Sequence, residues 1–267
     1  MKKGLYISLL LIVFILSGCE KVIDWNERND PLPLLVVDGR VTNERIRQEV
    51  TLSRPATDLD ENFEPVSNAA VAIIAGNVTY PLHEDNSSPG KYYTDDTLQG
   101  VVGKVYILNI RLDGKEFTAS AYMVPAEPLG DFLHDPCGSG YKALFSDQGD
   151  PYIIDLRMDW SGTSACSGNS LCEARIMHYY LNTIDVNQLY NIPETQEVCF
   201  PKGTRIIRKK YSLTPEYQEF LRTLLTETSW RGGLFDVESG NVITNLSNGA
   251  VGYFSASTVI SDTITIR

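Results

Sequence analysis

The three histidines of the chain, His83, His134 and His178, fall on separate stretches. None repeats at the four-residue spacing with which a helix offers two imidazoles to zinc, and no Gly-x-Ser-x-Gly turn raises a serine for acyl transfer. One grouping has the residue types of a nucleophile: His134-Asp135 with Cys137, in which an imidazole can take the thiol proton. Pro136-Cys137-Gly138 also has turn chemistry, and a disulfide competes for the same sulfur. Asp147, Asp150, Asp155 and Asp159 offer hard oxygen ligands of the kind calcium takes. Their spacing fits no EF-hand loop, and Asp155 and Asp159, on one strand, are expected to share a solvated face. No catalytic residue, metal ligand or cofactor site is assigned. Arg205, Arg208, Lys209 and Lys210 form a basic cluster on a predicted strand, read either as a cation-guarded sheet edge or as an interaction patch for an acidic surface or headgroup. Trp160, Trp230 and several of the fourteen tyrosines are candidates for a sugar- or peptide-binding face, or for filling a β-core.

More specific chemistry belongs to Cys19. Met1, Lys2 and Lys3 give a positive start, and Leu5 to Leu16 is apolar apart from Ser8. That run is short for a membrane span and has the length and flanks of a signal-peptide core. It ends in Leu16-Ser17-Gly18-Cys19, which resembles the lipobox of bacterial lipoproteins. The resemblance implies a diacylglycerol on the Cys19 sulfur, cleavage after Gly18 and acylation of the new amine. At roughly 0.8 kcal/mol per buried methylene, two or three chains make a durable anchor. Residues 1–18 are then the signal and 19–33 a polar, proline-containing tether.

Acidic residues outnumber basic ones, 34 against 23. Loss of Lys2 and Lys3 with the signal widens the excess, which argues against a nucleic-acid partner. With Cys19 given to lipid, Cys137, Cys166, Cys172 and Cys199 remain, an even set in an exported chain. Zinc lacks a framework, since there is no Cys-x-x-Cys pair. Two disulfides in the C-terminal half are expected, with free buried thiols as the alternative. The favoured pairing is Cys166–Cys172, across a loop with a Gly-Asn turn, and Cys137–Cys199, tying two proline-containing turns.

The elements that position these residues read as mainly β. Residues 34–124 carry seven short strand patterns: Leu34–Val41, Gln48–Ser53, Ala69–Ala75, Val78–Leu82, Lys91–Thr94, Lys104–Leu112 and Lys115–Tyr122. Gly76-Asn77 and Asp113-Gly114 provide hairpin turns. An immunoglobulin-like β-sandwich is the expectation for this segment. Val124-Pro125-Ala126-Glu127-Pro128 breaks the pattern and marks a boundary. Residues 125–267 are expected to form a second β-rich domain, with strands at Tyr141–Ser146, Tyr152–Trp160, Glu173–Tyr180, Thr204–Tyr211, Gly249–Ser255 and Val259–Ile266. One amphipathic helix near 214–228 interrupts them: Thr214 caps it, Pro215 opens it, and Tyr217, Phe220, Leu221, Leu224 and Leu225 make its apolar stripe.

Several stretches together resemble lipoproteins of the family called domain of unknown function 4249. They are Cys19-Glu20-Lys21, Leu35-Val36-Val37-Asp38-Gly39, Pro65-Val66-Ser67-Asn68-Ala69-Ala70-Val71 and Pro89-Gly90-Lys91-Tyr92-Tyr93. Toward the end come Thr214-Pro215-Glu216-Tyr217, Gly232-Gly233-Leu234-Phe235-Asp236, Thr244-Asn245-Leu246-Ser247-Asn248-Gly249 and Gly252-Tyr253-Phe254-Ser255-Ala256-Ser257. The resemblance implies a Bacteroidota lipoprotein of the outer membrane, encoded beside a TonB-dependent receptor that would be its partner. It carries no catalytic residues. Glu20 and Asp24 follow the lipidated cysteine with Lys21 between them, so both membrane faces stay open. The expected function is a non-enzymatic accessory binding module of a nutrient-uptake receptor, its ligand left open, with a peptide or glycan among the candidates. A surface adhesion or structural module is the alternative, and an exported hydrolase built on His134, Asp135 and Cys137 the third reading.

Overall fold

Alternation of apolar and polar side chains sets the first sheet. In β1 (Val36–Thr42) Val37 and Val41 are buried; in β2 (Glu49–Arg54) Val50 and Leu52 are. The short β3 (Glu64–Pro65) pairs with β2. In β4 (Ala70–Ala75) the inward residues are Val71 and Ile73, in β5 (Val78–Glu84) Leu82, and in β6 (Lys91–Thr94) Tyr92. In β7 (Val105–Leu112) they are Tyr106, Leu108 and Ile110, and in β8 (Lys115–Tyr122) Phe117, Ala119 and Ala121. Each row of alternate side chains thus faces one core, as a half-buried strand requires. The computed structural model describes residues 34–55, 63–145, 149–167, 172–181, 197–228 and 242–267.

Two connections have the backbone their dipeptides predict. Asp113 and Gly114 both take positive φ (51° and 73°) between Leu112 and Lys115, the signature of a type I′ turn. Between Ala75 and Val78 only Gly76 is positive (61°), the type II′ arrangement with glycine first.

The first sheet is completed from the other end of the chain. β14 (Val251–Ser257), expected among the strands of the second half, lies parallel to β1, giving the order β14-β1-β2-β6-β5-β4-β7-β8. The residues leading into it also run along β8: Ser247 N–H donates to Thr118 O at 2.9 Å, and Asn245 Nδ2 donates to Ser120 O at 3.0 Å. Val124 and Ser257 form a further parallel bridge. The sheet therefore rolls around one core, with Phe254 fully buried opposite Gly39. Gly252 (φ 95°) makes the closure possible, because a Cβ there would strike the Val37 carbonyl.

The second sheet is antiparallel, in the order β12-β11-β13-β15: β11 (Tyr152–Asp159), β12 (Glu173–Tyr180), β13 (Arg205–Ser212) and β15 (Val259–Thr265). Only Thr258 separates β14 from β15, so the sheets are continuous through that residue. Ser212 and Thr258 pin the junction, both donating side-chain hydrogen bonds to Val124 O, at 2.9 and 2.6 Å.

One face of this sheet is covered by the helix α1 (Pro215–Thr228), packed through Tyr217, Phe220 and Leu221 on Ile153 and on Tyr253 of β14. Its start is the expected one: Thr214 Oγ1 accepts the Tyr217 N–H at 3.2 Å, and Pro215 takes the first helical position. The other face is covered by the hairpin of β9 (Leu133–Cys137) and β10 (Gly140–Leu144), with Phe200 beneath it. β9 runs into the segment expected to be a turn; Pro136 is accommodated because β9 is an edge strand, and the turn follows at Gly138. No helix of the described residues is long and apolar enough to cross a membrane.

Candidate ligand cleft

The structure joins Cys137 to Cys199 and Cys166 to Cys172, with Cα separations of 5.6 Å in both pairs. The first ties the end of β9 to the segment that delivers Phe200, and the second closes the loop between β11 and β12. Cys137 is therefore not a thiol. His134 lies instead against Tyr141, ring centroids 4.6 Å apart, and His178 stacks on Phe145 at 4.1 Å. His83 pairs with Asp95 at 3.0 Å on the exposed side of β5.

Asp155 is not on a solvated face. It is 2 % exposed, because Arg175 folds over it with two hydrogen bonds (2.8 and 3.0 Å) and Arg157 adds a third at 3.2 Å. Arg157 and Arg175 sit directly opposite on β11 and β12, a like-charge pair that the shared carboxylate offsets. Hydrogen bonding to Asp155 pushes the Arg175 pKa up. Asp159 instead accepts the side-chain and backbone hydrogen bonds of Ser161, which hold its carboxyl below the usual range. Among the described residues no three or more of His, Cys, Asp and Glu converge as a metal site. Cys19, Asp147, Trp230 and Gly232-Gly233 lie outside the described residues, as do the signal segment and the tether. Trp160 packs against the core under the β9–β10 hairpin.

The basic cluster is divided. β13 is not a sheet edge but lies between β11 and β15, and its alternation sends Arg205 and Lys209 to one face and Arg208 and Lys210 to the other. Arg205 lines an open groove of about 530 Å³ with Arg157, Arg175, Asp159 and Glu173, whose charges nearly balance. Lys209 pairs with Glu44 at 2.7 Å. Arg208 spends its donors on both oxygens of Asp262 and on Gly130 O.

Lys210 is placed differently. Its side chain is 12 % exposed, and the ammonium lies 4.7 Å from the centre of the Tyr152 ring. The nearest carboxylate oxygen, Glu127 Oε2, is 3.7 Å away and accepts the Asp150 N–H. Lys210 stands where two clefts meet. One, of about 330 Å³, is walled by Val124, Pro151, Leu213 and Pro215; the other, of about 230 Å³, by Phe132, Leu144 and Phe145. Tyr152, Glu127 and Lys210 line both. Period-two alternation along β13 was enough to pair Arg208 with Lys210; Glu127 and Tyr152 come from segments read only as a boundary and a strand, and no local signal links them to the cluster.

The clefts join apolar walls to two sequestered cations, Arg208 paired with Asp262 and Lys210 with no hydrogen-bonded carboxylate, an arrangement suited to binding and orienting a small ligand. Comparison with curated proteins gives no match. The sequence model described as Domain of unknown function (DUF4249) matches residues 20–263, nearly the whole chain, and the protein belongs to that family.

Proposed function

We propose that the protein is a non-enzymatic binding lipoprotein, held to the outer membrane by lipid on Cys19, whose body serves as an accessory module of a TonB-dependent receptor in nutrient uptake. The observation that carries the binding reading is the cleft at Lys210, where apolar walls surround a few convergent polar groups. The disulfide at Cys137 weighs against the hydrolase, since the His134–Asp135–Cys137 grouping has no thiol to activate. The anchor rests on Leu16-Ser17-Gly18-Cys19 and the polar tether behind it. The receptor rests on the gene neighbourhood that the family resemblance implies. We also read the nine-stranded body as an immunoglobulin-like sandwich, a reading its short antiparallel strands and tight hairpins support.

Purification of the tagged protein from native membranes tests this: a TonB-dependent receptor is expected to come with it, and deletion of the gene to impair uptake through that receptor. Recovery of no receptor, with uptake unchanged, overturns the accessory role and leaves the adhesion or structural module. Cys19→Ala is expected to abolish labelling by a lipid precursor and to release the protein from membranes. A Cys19→Ala protein that still sediments with membranes after a high-salt wash overturns the anchor.

A further inference from the structure

We propose that the cleft at Lys210 receives a singly charged carboxylate carried on a small apolar body. The Lys210 ammonium takes the carboxylate, and the wall of Pro151, Leu213 and Pro215 takes the body. This deepens the binding reading above and rests on it.

The argument starts from donor capacity. An ammonium has three N–H donors, and in the folded chain Lys210 has lost most of its access to water. Its oxygen neighbour, Glu127 Oε2, stands at 3.7 Å, beyond hydrogen-bonding distance, and its other contact is the face of Tyr152. Arg208, two residues earlier on the same face, has its charge paired by both oxygens of Asp262 and donates a further hydrogen bond to Gly130 O, three of its five N–H groups in all. The sequestered cation without a hydrogen-bonded carboxylate is therefore Lys210, at the floor shared by both clefts.

Charge selects the class of anion. Lysine is a compact point charge that suits a single negative charge and has no fork for two oxygens. Glu127 and Asp150 line the same cleft, so a second negative charge on the ligand would be repelled. Glu127 is 45 % exposed and can turn to water when a ligand carboxylate arrives, at the small cost typical of an exposed pair. Size selects the body: about 330 Å³ is at the low end for small-molecule sites, and Leu213, Pro151 and Pro215 offer it no polar partner.

The test is ligand-observed fluorine NMR on the full-length protein in nanodiscs, with empty nanodiscs as the blank and 4-fluorobenzoate as the probe. Binding is expected for 4-fluorobenzoate but not for neutral 4-fluorobenzamide, and weaker binding for the dianion 4-fluorophenyl phosphate. Lys210→Met, which keeps the apolar stem, is expected to raise Kd about tenfold or more, as loss of a charge-assisted hydrogen bond would. Glu127→Gln, which removes the competing carboxylate, is expected to lower Kd about threefold. Equal binding of the amide, or a Kd unchanged in Lys210→Met and in Glu127→Gln, overturns the proposal. Should Lys210→Met fail to fold by circular dichroism, the Glu127→Gln strengthening and the order of the three probes decide it. Absence of 4-fluorobenzoate binding while the receptor still co-purifies overturns the carboxylate site and leaves the accessory role standing.

Discussion

The two sheets solve the problem of cohesion by different means. The nine-stranded sheet directs alternate side chains of every major strand into one continuous apolar cluster, and buried polar residues inside it, such as Gln48 and Thr94, are neutral and hydrogen-bonded. Its one strongly buried guanidinium among the described residues, Arg40, donates to the Tyr217 hydroxyl toward α1. The four-stranded sheet divides its apolar residues between two smaller clusters, one under α1 and one under the β9–β10 hairpin. It also buries Asp155 and Arg208, and both described disulfides lie at its margins. Among the described residues one helix and one hairpin cover this sheet, and its two clusters are each smaller than that of the first sheet, so the cross-links carry more of its cohesion. The same thin cover leaves its floor accessible at the Lys210 cleft.

The largest effect is expected where the rolled sheet closes. Phe254, on β14, is fully buried opposite Gly39 of β1, and Phe254→Ala leaves a cavity there, with an expected loss of about 4 to 5 kcal/mol in denaturant unfolding. A loss under about 1 kcal/mol would mean that β14 does not close the core. The disulfides come next. Cys137–Cys199 spans 62 residues and Cys166–Cys172 spans 6, so the chain-entropy account assigns about 4 kcal/mol to the first and about 2 to the second. Paired Cys→Ala variants compared by thermal melting should keep that order and should leave the amide-exchange protection of β4, β7 and β8 unchanged. Loss of protection in those strands would show that the two sheets unfold as one.

Much of this division was legible in the sequence, because strand alternation and turn chemistry are local. Asp113-Gly114 and Thr214-Pro215 announced a hairpin and a helix start, and the Gly-Asn loop between Cys166 and Cys172 favoured their pairing. What escaped depends on segments far apart in the chain. Nothing near Gly252 reveals that its backbone must lie against Val37, so Gly249–Ser255 was placed with its sequence neighbours. Asp155 reads as a surface carboxylate until Arg175, on another strand, covers it. β9 was hidden by Pro136, whose missing donor matters little on an edge. At the cleft, Lys210 was visible as a basic residue, while Glu127 and Tyr152 became its neighbours only through folding.

An alkaline titration probes the seam between the bodies. Burial pushes the Tyr253 phenol up to about 12, with the carboxylate of Glu216 the next cause. A phenol that holds its proton more tightly when folded contributes stability in full below about pH 10, its unfolded pKa, and loses it as pH rises through about 12. The expected loss is on the order of 2 kcal/mol between those limits. Tyr253→Phe should leave neutral stability little changed and remove that part of the alkaline limb. Tyr93, on the outside of the first sheet and also pushed up by burial to about 12, serves as the comparison. If Tyr93→Phe flattens the limb and Tyr253→Phe does not, the seam is not the alkaline weak point.

The smallest expected effect isolates the helix. Thr214 supplies the only side-chain oxygen that the Tyr217 N–H meets at the start of α1 among the described contacts. Thr214→Ala removes that acceptor while Pro215 still fixes the first helical φ, so the helix should remain and the protein should lose about 1 kcal/mol. Because α1 packs on Ile153, Tyr253 and the second sheet, the loss should appear in the amide exchange of β11 and β12 before that of β4 or β7. Equal loosening of both sheets would mean that α1 braces the whole body through Tyr253. Loosening confined to β11 and β12 would mean that the rolled sheet stands without it, and that the helix serves chiefly to cover the face of the second sheet that carries Ile153.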